Sequence, residues 1–401
     1  MNATSAPVRR RRVGFLTSHP VQYVAPLYAR IARSEHLEPV ALYLTDFSLR
    51  GGHDRQFGKA VTWDVDLLEG YEHHFVGRDY QTAEPYGFFN LRADDIRERL
   101  KALKLDALVL HGHNFRAMIE AFRAARSLSI PQLYKGETHL LLPRSALKSA
   151  VRKPIMTRFY ARMDGFLAIS QRNAEFYRSL GVPASKIFDY PYTVDNDRFF
   201  EASRLTQEER LDLLASFGLD PALPTVVFAS KFMPRKHPAD VLLACARLQQ
   251  RGIASQLLFV GSGEQEAELR ALAQQESALK VVFAGFQNQT QLPRILGASN
   301  IFVLPSENEP FGLIVNEAMC AGLPIVASTE IGCVPDLVHQ DVNGRVFEAR
   351  DVAGLADALE PLVRDASLRQ AMSEASRQII ADWSFERNVR GLTQAIEHVV
   401  R

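Results

Sequence analysis

Short apolar runs rich in β-branched and aromatic residues alternate with amphipathic stretches through almost all of the 401 residues, and no other feature limits the fold so tightly. In the first half such runs fall at 12–17, 39–44, 105–110, 131–134 and 165–169, with apolar residues at helical spacing over 22–33, 115–127 and 171–180. The second half repeats the pattern, with runs at 225–229, 256–260, 280–284, 300–304 and 324–327. Strands alternating with helices assemble into a parallel sheet wrapped by helices, so the pattern predicts an α/β fold of two Rossmann-like doubly wound domains. The segment from Pro191 to Asp197 and the charged stretch after it, up to Pro221 and Pro224, read as a linker and a small helix. Ligands of open α/β sheets bind beyond the carboxyl ends of the strands, so two such domains facing each other would enclose one cleft.

Charge excludes one class of partner. The 47 basic and 46 acidic side chains give a net charge of +1, unlike the strongly basic footprint of a nucleic-acid binder. Near-neutrality conceals a division: residues 1–200 carry 29 basic and 21 acidic side chains and residues 201–401 carry 18 and 25, so the halves stand at +8 and −7. Cys245, Cys320 and Cys333 form no C-x-x-C pair, which suggests neither a disulfide framework nor a zinc site and points to a reducing cytoplasm. The four arginines at 9–12 precede an apolar stretch shorter than a signal-peptide core, so the start reads as a basic tail entering the first strand. No window approaches 18 consecutive apolar residues, so no membrane span is expected.

The densest polar cluster, PSENEPFGLIVNE at 305–317, follows the apolar run IFVL and so occupies a strand end that faces ligand. Pro310 and Gly312 make Glu309 a turn residue, and the apolar run that follows reads as a buried helix with Glu317 near its start. The free N–H groups of Phe311, Gly312 and Leu313 could hold a phosphate there, and the two carboxylates could accept hydroxyl hydrogens from a sugar. The alternative is that both are ordinary helix-start acids, favourable to the helix dipole by roughly 0.3–1 kcal/mol. After the run TVVFA come Lys231, Arg235 and Lys236, which could grip a diphosphate by charge-assisted hydrogen bonds or be a solvated basic turn. Gly261-Ser262-Gly263 also follows a strand, but Glu266 stands where a dinucleotide fingerprint needs its third glycine, and no acid ends the next strand. Hydride chemistry is not expected.

Taken in order, ASKFMPRKHPADVLLA, LLFVGSGEQEAEL, VVFAGF and FVLPSENEPFGLIVNEAMCAGLPIVAS resemble the signature blocks of the retaining family-four, or "group 1", nucleotide-sugar glycosyltransferases, whose fold is GT-B. The resemblance is strongest over 225–347, and its most specific element is the E-x7-E from Glu309 to Glu317. It implies an acceptor-binding domain of residues 1–195, rejoined by a C-terminal helix at 385–401, and a donor-binding domain of residues 196–384. It implies that Glu309 and the backbone of Phe311, Gly312 and Leu313 meet the donor sugar and its phosphates, and that Glu317 binds the ribose hydroxyls. Lys231 and Lys236 match the cations that neutralise the leaving diphosphate, Gly261 lies along the donor, and Phe286 lies near its base. Glu309, His113 and Lys236 are the residues expected to act in catalysis. The chain departs from the family at Ser230-Lys231, where Gly-Arg is usual, so the bidentate arginine fork is absent. His237 replaces a common glycine, and the Gly-rich turn after the first strand is replaced by Ser18-His19-Pro20-Val21-Gln22-Tyr23, where His19 or Gln22 could meet phosphate or be a satisfied turn group.

In the first half, LDALVL ends in His111-Gly112-His113-Asn114. His113 resembles the family's cleft histidine; it could otherwise be a hydrogen-bonded strand-end residue, and no nearby acid or cysteine completes a metal site with His111. Lys135 and Glu137, at the next strand end, are expected with His19 on the acceptor side. Asp64-Val65-Asp66 matches a D-x-D motif but lacks a preceding strand of the right domain, so it reads as a chance match. No metal or other cofactor is expected.

The resulting expectation is a metal-independent hexosyltransferase that retains anomeric configuration and moves sugar from a nucleoside diphosphate sugar, UDP-sugar by default, to a hydroxyl. The acceptor would be a glycan, a lipid-linked intermediate or a small molecule, in cell-surface polysaccharide synthesis. Basic residues among apolar ones over 140–163 suit a helix lying on an anionic membrane, or a surface helix with one face in the core. The expected location is the cytoplasm, with peripheral contact at the inner membrane face. The rivals are a nucleotide-sugar epimerase of the same architecture and a non-catalytic nucleotide-sugar binding protein.

Overall fold

The computed structural model describes residues 9–54, 59–142 and 146–400. The strands of the first half are β1 (Arg11–Thr17), β2 (Leu37–Tyr43), a two-residue antiparallel pair β3 (His53–Asp54) and β4 (Lys59–Ala60), β5 (Glu72–Phe75), β6 (Ala107–His111), β7 (Gln132–Lys135), β8 (Gly165–Ala168) and β9 (Ile187–Asp189). All but the short pair form a seven-stranded parallel sheet in the order β5-β2-β1-β6-β7-β8-β9. The second half supplies β10 (Thr225–Ala229), β11 (Gln256–Val260), β12 (Lys280–Gly285), β13 (Ile301–Leu304), β14 (Ile325–Ser328) and β15 (Gly344–Phe347). These form a six-stranded parallel sheet ordered β12-β11-β10-β13-β14-β15.

Burial on both faces explains the apolar runs. On β1 and β6, Leu16, Leu108 and Leu110 face one core while Val13, Phe15, Ala107 and Val109 face the other. Every residue of β10, β11, β13 and β14 is buried. Within the two parallel sheets, three strands have no apolar run of that kind: β5 (EHHF), β9 (IFD) and β15 (GRVF). Each is at a sheet edge, with one strand neighbour instead of two.

Both sheets change direction beside their first strand. In the first, β2 and β6 flank β1; in the second, β11 and β13 flank β10. Such switch points leave a crevice between adjacent strand ends, so the loops after β1, β6, β10 and β13 are the ones placed to build a site.

The chain crosses between the two sheets near Asn196 and crosses back before the helix Phe385–Val399, which buries Leu392, Ala395 and Ile396 against the first sheet. The two crossings are bonded to each other. Trp383 donates its indole N–H to the carbonyl of Tyr192 at 2.6 Å, Asn388 donates to Pro191 at 2.7 Å, and Asn196 donates to Ile380 at 2.9 Å. Asn316, from the helix Ile314–Cys320, donates to the same Tyr192 carbonyl at 3.0 Å. Among the described residues no helix is long and apolar enough to cross a membrane.

Candidate active site

Beyond β10 the chain forms a tight turn, Pro234–Lys236, and His237 follows it with φ +47°. That left-handed conformation is one that glycine adopts more readily than any other residue. The turn carries Arg235 and Lys236 to Glu309, beyond β13. Arg235 Nη1 donates to Glu309 Oε2 at 2.6 Å, and Lys236 Nζ donates to the same oxygen. Lys236 and Glu309 are only 7% and 8% exposed, so the pair is shielded from solvent. Burial by itself would raise the Glu309 carboxyl, but the charges and hydrogen bonds of Lys236 and Arg235 outweigh it and hold the carboxyl below the usual range. Burial pushes the Lys236 ammonium down, against the attraction of Glu309, and its cationic neighbours Arg235 and Lys231 add to the effect.

Glu317 sits in the first turn of Ile314–Cys320 with a different environment. Burial lifts its carboxyl to about 7, opposed by the charge of Arg198 and a hydrogen bond with Gln289. The two acids of the E-x7-E are therefore differentiated: Glu309 is held ionised and Glu317 is poised near neutrality. Gly312, between them, has φ +90°, and a Cβ there would lie 2.6 Å from Ile331. Gly261 is similarly constrained, since a Cβ would lie 2.0 Å from the Ser230 carbonyl oxygen. A side chain at either position would disturb the wall of the site.

A cavity of about 280 Å³ joins these groups. Lys231, Lys236, Glu309 and Glu317 line it, as do Gly261, Phe286, Gly312 and Leu313. Phe311 does not; its ring is buried edge-on to Tyr192 at 5.3 Å. The first domain contributes Gln22, Tyr23 and Trp63 to the lining. Gln22 and Tyr23 come from the loop after β1, where the Gly-rich turn is missing. His19, in the same loop, is instead hydrogen-bonded to Ser18 at 2.9 Å and set edge-on to Phe47.

Lys135, Glu137 and His113 lie at the carboxyl edge of the first sheet, outside the cavity lining. The Lys135 ammonium is buried 4.4 Å from the centroid of the Tyr192 ring, and burial brings its pKa down to about 8, partly offset by Glu137. Glu137 accepts the Tyr192 hydroxyl proton. His113 Nδ1 is 2.7 Å from the Tyr134 hydroxyl, and its ring is 5.8 Å from that of Phe159, inside an aromatic cluster. Burial and the Lys135 charge hold His111 well below the usual histidine range.

Several contacts span the cleft. His139, fully buried, accepts the Leu141 N–H at Nδ1, 3.2 Å away, which leaves the proton on Nε2 to be donated to the Glu309 main-chain carbonyl at 2.9 Å. Arg172 donates to the carbonyls of Ile331 and Thr329 at 2.8 and 2.9 Å. Asp64, which the D-x-D pattern singles out only as a chance match, accepts the N–H groups of Gln289 and Thr290 at 3.1 Å each. Asn288 donates to the Thr62 carbonyl at 2.8 Å. Among the described residues, no group of three histidine, cysteine or acidic side chains is arranged to hold a metal ion.

This cleft, flanked by cations and a pair of unlike carboxyls, lies where the strand ends of the two sheets face each other. Residues 210–379 match the model of the family described as "Glycosyl transferases group 1", and residues 47–198 match "Glycosyltransferase Family 4". The chain belongs to the group 1 glycosyltransferases and has the GT-B fold. It is 31% identical over 243 residues to a GDP-mannose-dependent monoacylated α-(1-6)-phosphatidylinositol monomannoside mannosyltransferase of Corynebacterium glutamicum, covering 59% of this chain and 62% of that one. A Mycobacterium tuberculosis GDP-mannose-dependent α-(1-6)-phosphatidylinositol monomannoside mannosyltransferase is 28% identical over 245 residues, with the same coverage. The match thus spans 62% of the length of these curated relatives. Among solved structures, a glycosyltransferase of Rickettsia africae superposes with TM-score 0.74 at 15% identity, over 98% of this chain and 99% of that one. Anabaena HepE in complex with UDP gives TM-score 0.71 at 15% identity, over 96% and 99%.

Proposed function

We propose that the protein transfers a hexosyl group, with retention of anomeric configuration, from a nucleoside diphosphate sugar to a hydroxyl of a glycan or lipid-linked acceptor in cell-surface glycan synthesis. The observation that carries this reading is the convergence of Arg235 and Lys236 on Glu309, with Glu317 lining the same cavity between two facing switch points. A diphosphate entering beside Lys231, Arg235 and Lys236 competes with Glu309 for their protons. The carboxylate it releases is then free to accept hydrogens from the sugar hydroxyls. Glu317 accepts those of the ribose.

In the transfer, the bond from the anomeric carbon to the diphosphate oxygen breaks as the acceptor oxygen bonds to the same carbon on the same face. The acceptor proton passes to the departing phosphate oxygen. Lys231, Arg235 and Lys236 stabilise the charge that develops there, the role a metal plays elsewhere. Glu309, released from Arg235 and Lys236 by the diphosphate, binds the donor's sugar hydroxyls rather than acting as a covalent nucleophile. We place the enzyme in the cytoplasm, with peripheral contact at an anionic membrane face.

The names of the relatives point to GDP-mannose and those of the structures to UDP, so the test is a panel of UDP- and GDP-hexoses read by thermal shift and nucleoside diphosphate release. Binding of none of them overturns the reading. Release without any acceptor requirement favours an epimerase or hydrolase, and binding without release favours a non-catalytic binder. The anomeric configuration of the product, read by proton NMR, decides retention. Turnover unchanged in excess EDTA is expected, and its abolition overturns the metal-independent mechanism.

A further inference from the structure

We propose that Trp63, on the first domain, supplies a stacking wall for the donor nucleobase, so that binding of the base and closure of the cleft are a single event. The proposal rests on the donor reading above.

The cavity has a direction set by the strands. Along the second sheet the order β12-β11-β10-β13 brings Phe286, Gly261, Lys231 and Glu309 to successive strand ends. Three strand spacings separate the first of these from the last, roughly 14 Å. Carboxylates and cations gather at the β10–β13 end. At the β12 end the lining changes character: Trp63 and Phe286 are 6.3 Å apart, centroid to centroid, with 56° between their planes. The rings touch, and the gap is too small for a base between them. They form an angled aromatic wall instead, beside Gln287, whose side-chain amide donates to the Ala284 carbonyl at 2.7 Å, and Gln289, whose side-chain oxygen accepts from Arg198 at 2.8 Å. A flat heteroaromatic group joined to an anionic tail fits a cavity that is aromatic at one end and cationic at the other.

The wall belongs to two domains, and its neighbours hold it in place. Thr62 and Asp64, on either side of Trp63, each bond across the cleft to the turn 288–290. Gln289 in that turn also bonds the carboxyl of Glu317. The first domain therefore holds both the indole at the aromatic end and the turn that orients Glu317. Separation of the domains would dismantle the wall, so a base that stacks on it favours the closed arrangement.

Fluorescence and calorimetry test this on the whole 401-residue chain. The chain has 2 tryptophans, and Trp383 is buried with its N–H on Tyr192, outside the cavity lining. UDP and GDP are expected to quench the wild-type emission but not that of Trp63→Phe. Trp63→Ala should weaken UDP or GDP about ten- to a hundredfold, as for loss of one base-stacking contact, while pyrophosphate affinity stays at the wild-type value. Asp64→Ala should weaken the nucleotide with the indole still present. Unchanged nucleotide affinity in Trp63→Ala, or equal quenching in Trp63→Phe, overturns the proposal. An equal loss for pyrophosphate also overturns it, because Trp63 would then support the site in general. If the wild type binds neither nucleotide nor pyrophosphate, the donor reading fails and this proposal fails with it.

Discussion

The imidazole of His139 and the main-chain carbonyl of Glu309 join the two domains through a buried hydrogen bond of 2.9 Å. The same carbonyl accepts the N–H of Gly332 at 3.0 Å, so the residue whose carboxylate lines the cavity is tied by its backbone to both halves of the molecule. His139→Ala is expected to lower kcat/KM about tenfold, the effect of about 1–1.5 kcal/mol of lost hydrogen bonding. The nucleoside diphosphate Kd should change less, since the cations remain in place. Steady-state kinetics beside calorimetry read the split, and a wild-type rate would show that the bond does not align Glu309.

Lys236→Ala removes a cation from a buried carboxylate and from the leaving group at once. The expected cost in transition-state stabilisation is about 1.5–3 kcal/mol, or about ten- to a hundredfold in rate. Single-turnover measurement of nucleoside diphosphate release checks it. Wild-type activity in this variant would remove Lys236 from the proposed mechanism.

Glu317 predicts a pH dependence of defined sign. Its folded carboxyl stands at about 7, against ~4.3 in an unfolded chain. The folded protein therefore holds this proton more tightly, so the contribution to stability is complete below about 4.3 and is lost as pH rises through about 7. Glu309, shifted the other way, contributes stability that is lost on acidification, and it is common to wild type and variant. The wild type should thus lose stability relative to Glu317→Gln between about pH 4.5 and 7, by up to a few kcal/mol. Denaturant titrations at half-unit intervals read the difference, and parallel curves would show that Glu317 titrates normally. In the wild type, donor KM should fall as pH rises through about 7.

The helix Ala146–Tyr160 packs one face into the core and leaves the other open, and contact of that open face with an anionic membrane is a prediction. Phe159 and Tyr160 enter the core, while Lys153, Ile155, Arg158 and Arg162 are exposed, near the exposed Leu140 and Leu141. Arg144 and the side chains of Lys148 and Arg152 lie outside the described residues. Co-sedimentation with phosphatidylglycerol vesicles, lost in neutral vesicles and reduced by salt, is the expected result. Absence of binding to the anionic vesicles would remove the membrane contact from the functional reading.

Much of this architecture is legible in the sequence because central parallel strands are apolar on both faces. Runs such as TVVFA and IFVL have few alternative placements, whereas EHHF in β5 carries no comparable signal. That Glu309, Gly312 and Glu317 line one cavity is equally legible, since they share one continuous segment. What crosses the cleft is not. Nothing near Asp64 in the sequence indicates that its carboxylate meets N–H groups at 289 and 290, and His139 shows no local sign of its partner 170 positions away. His113 illustrates the converse: its strand-end position is plain, but Tyr134 and Phe159 come from other elements to enclose it. A tryptophan in the polar stretch TWDVD was the available hint of a surface with a partner.

The bonds of Trp383 to Tyr192, Asn388 to Pro191 and Asn196 to Ile380 make the two interdomain crossings a doubled hinge pin. A cleft hung on paired strands of chain can swing but resists sliding, so the strand ends of one sheet stay in register with those of the other. Any opening is thereby expected to be a rotation about a fixed line, from which closure would return Asp64 and His139 to the same partners.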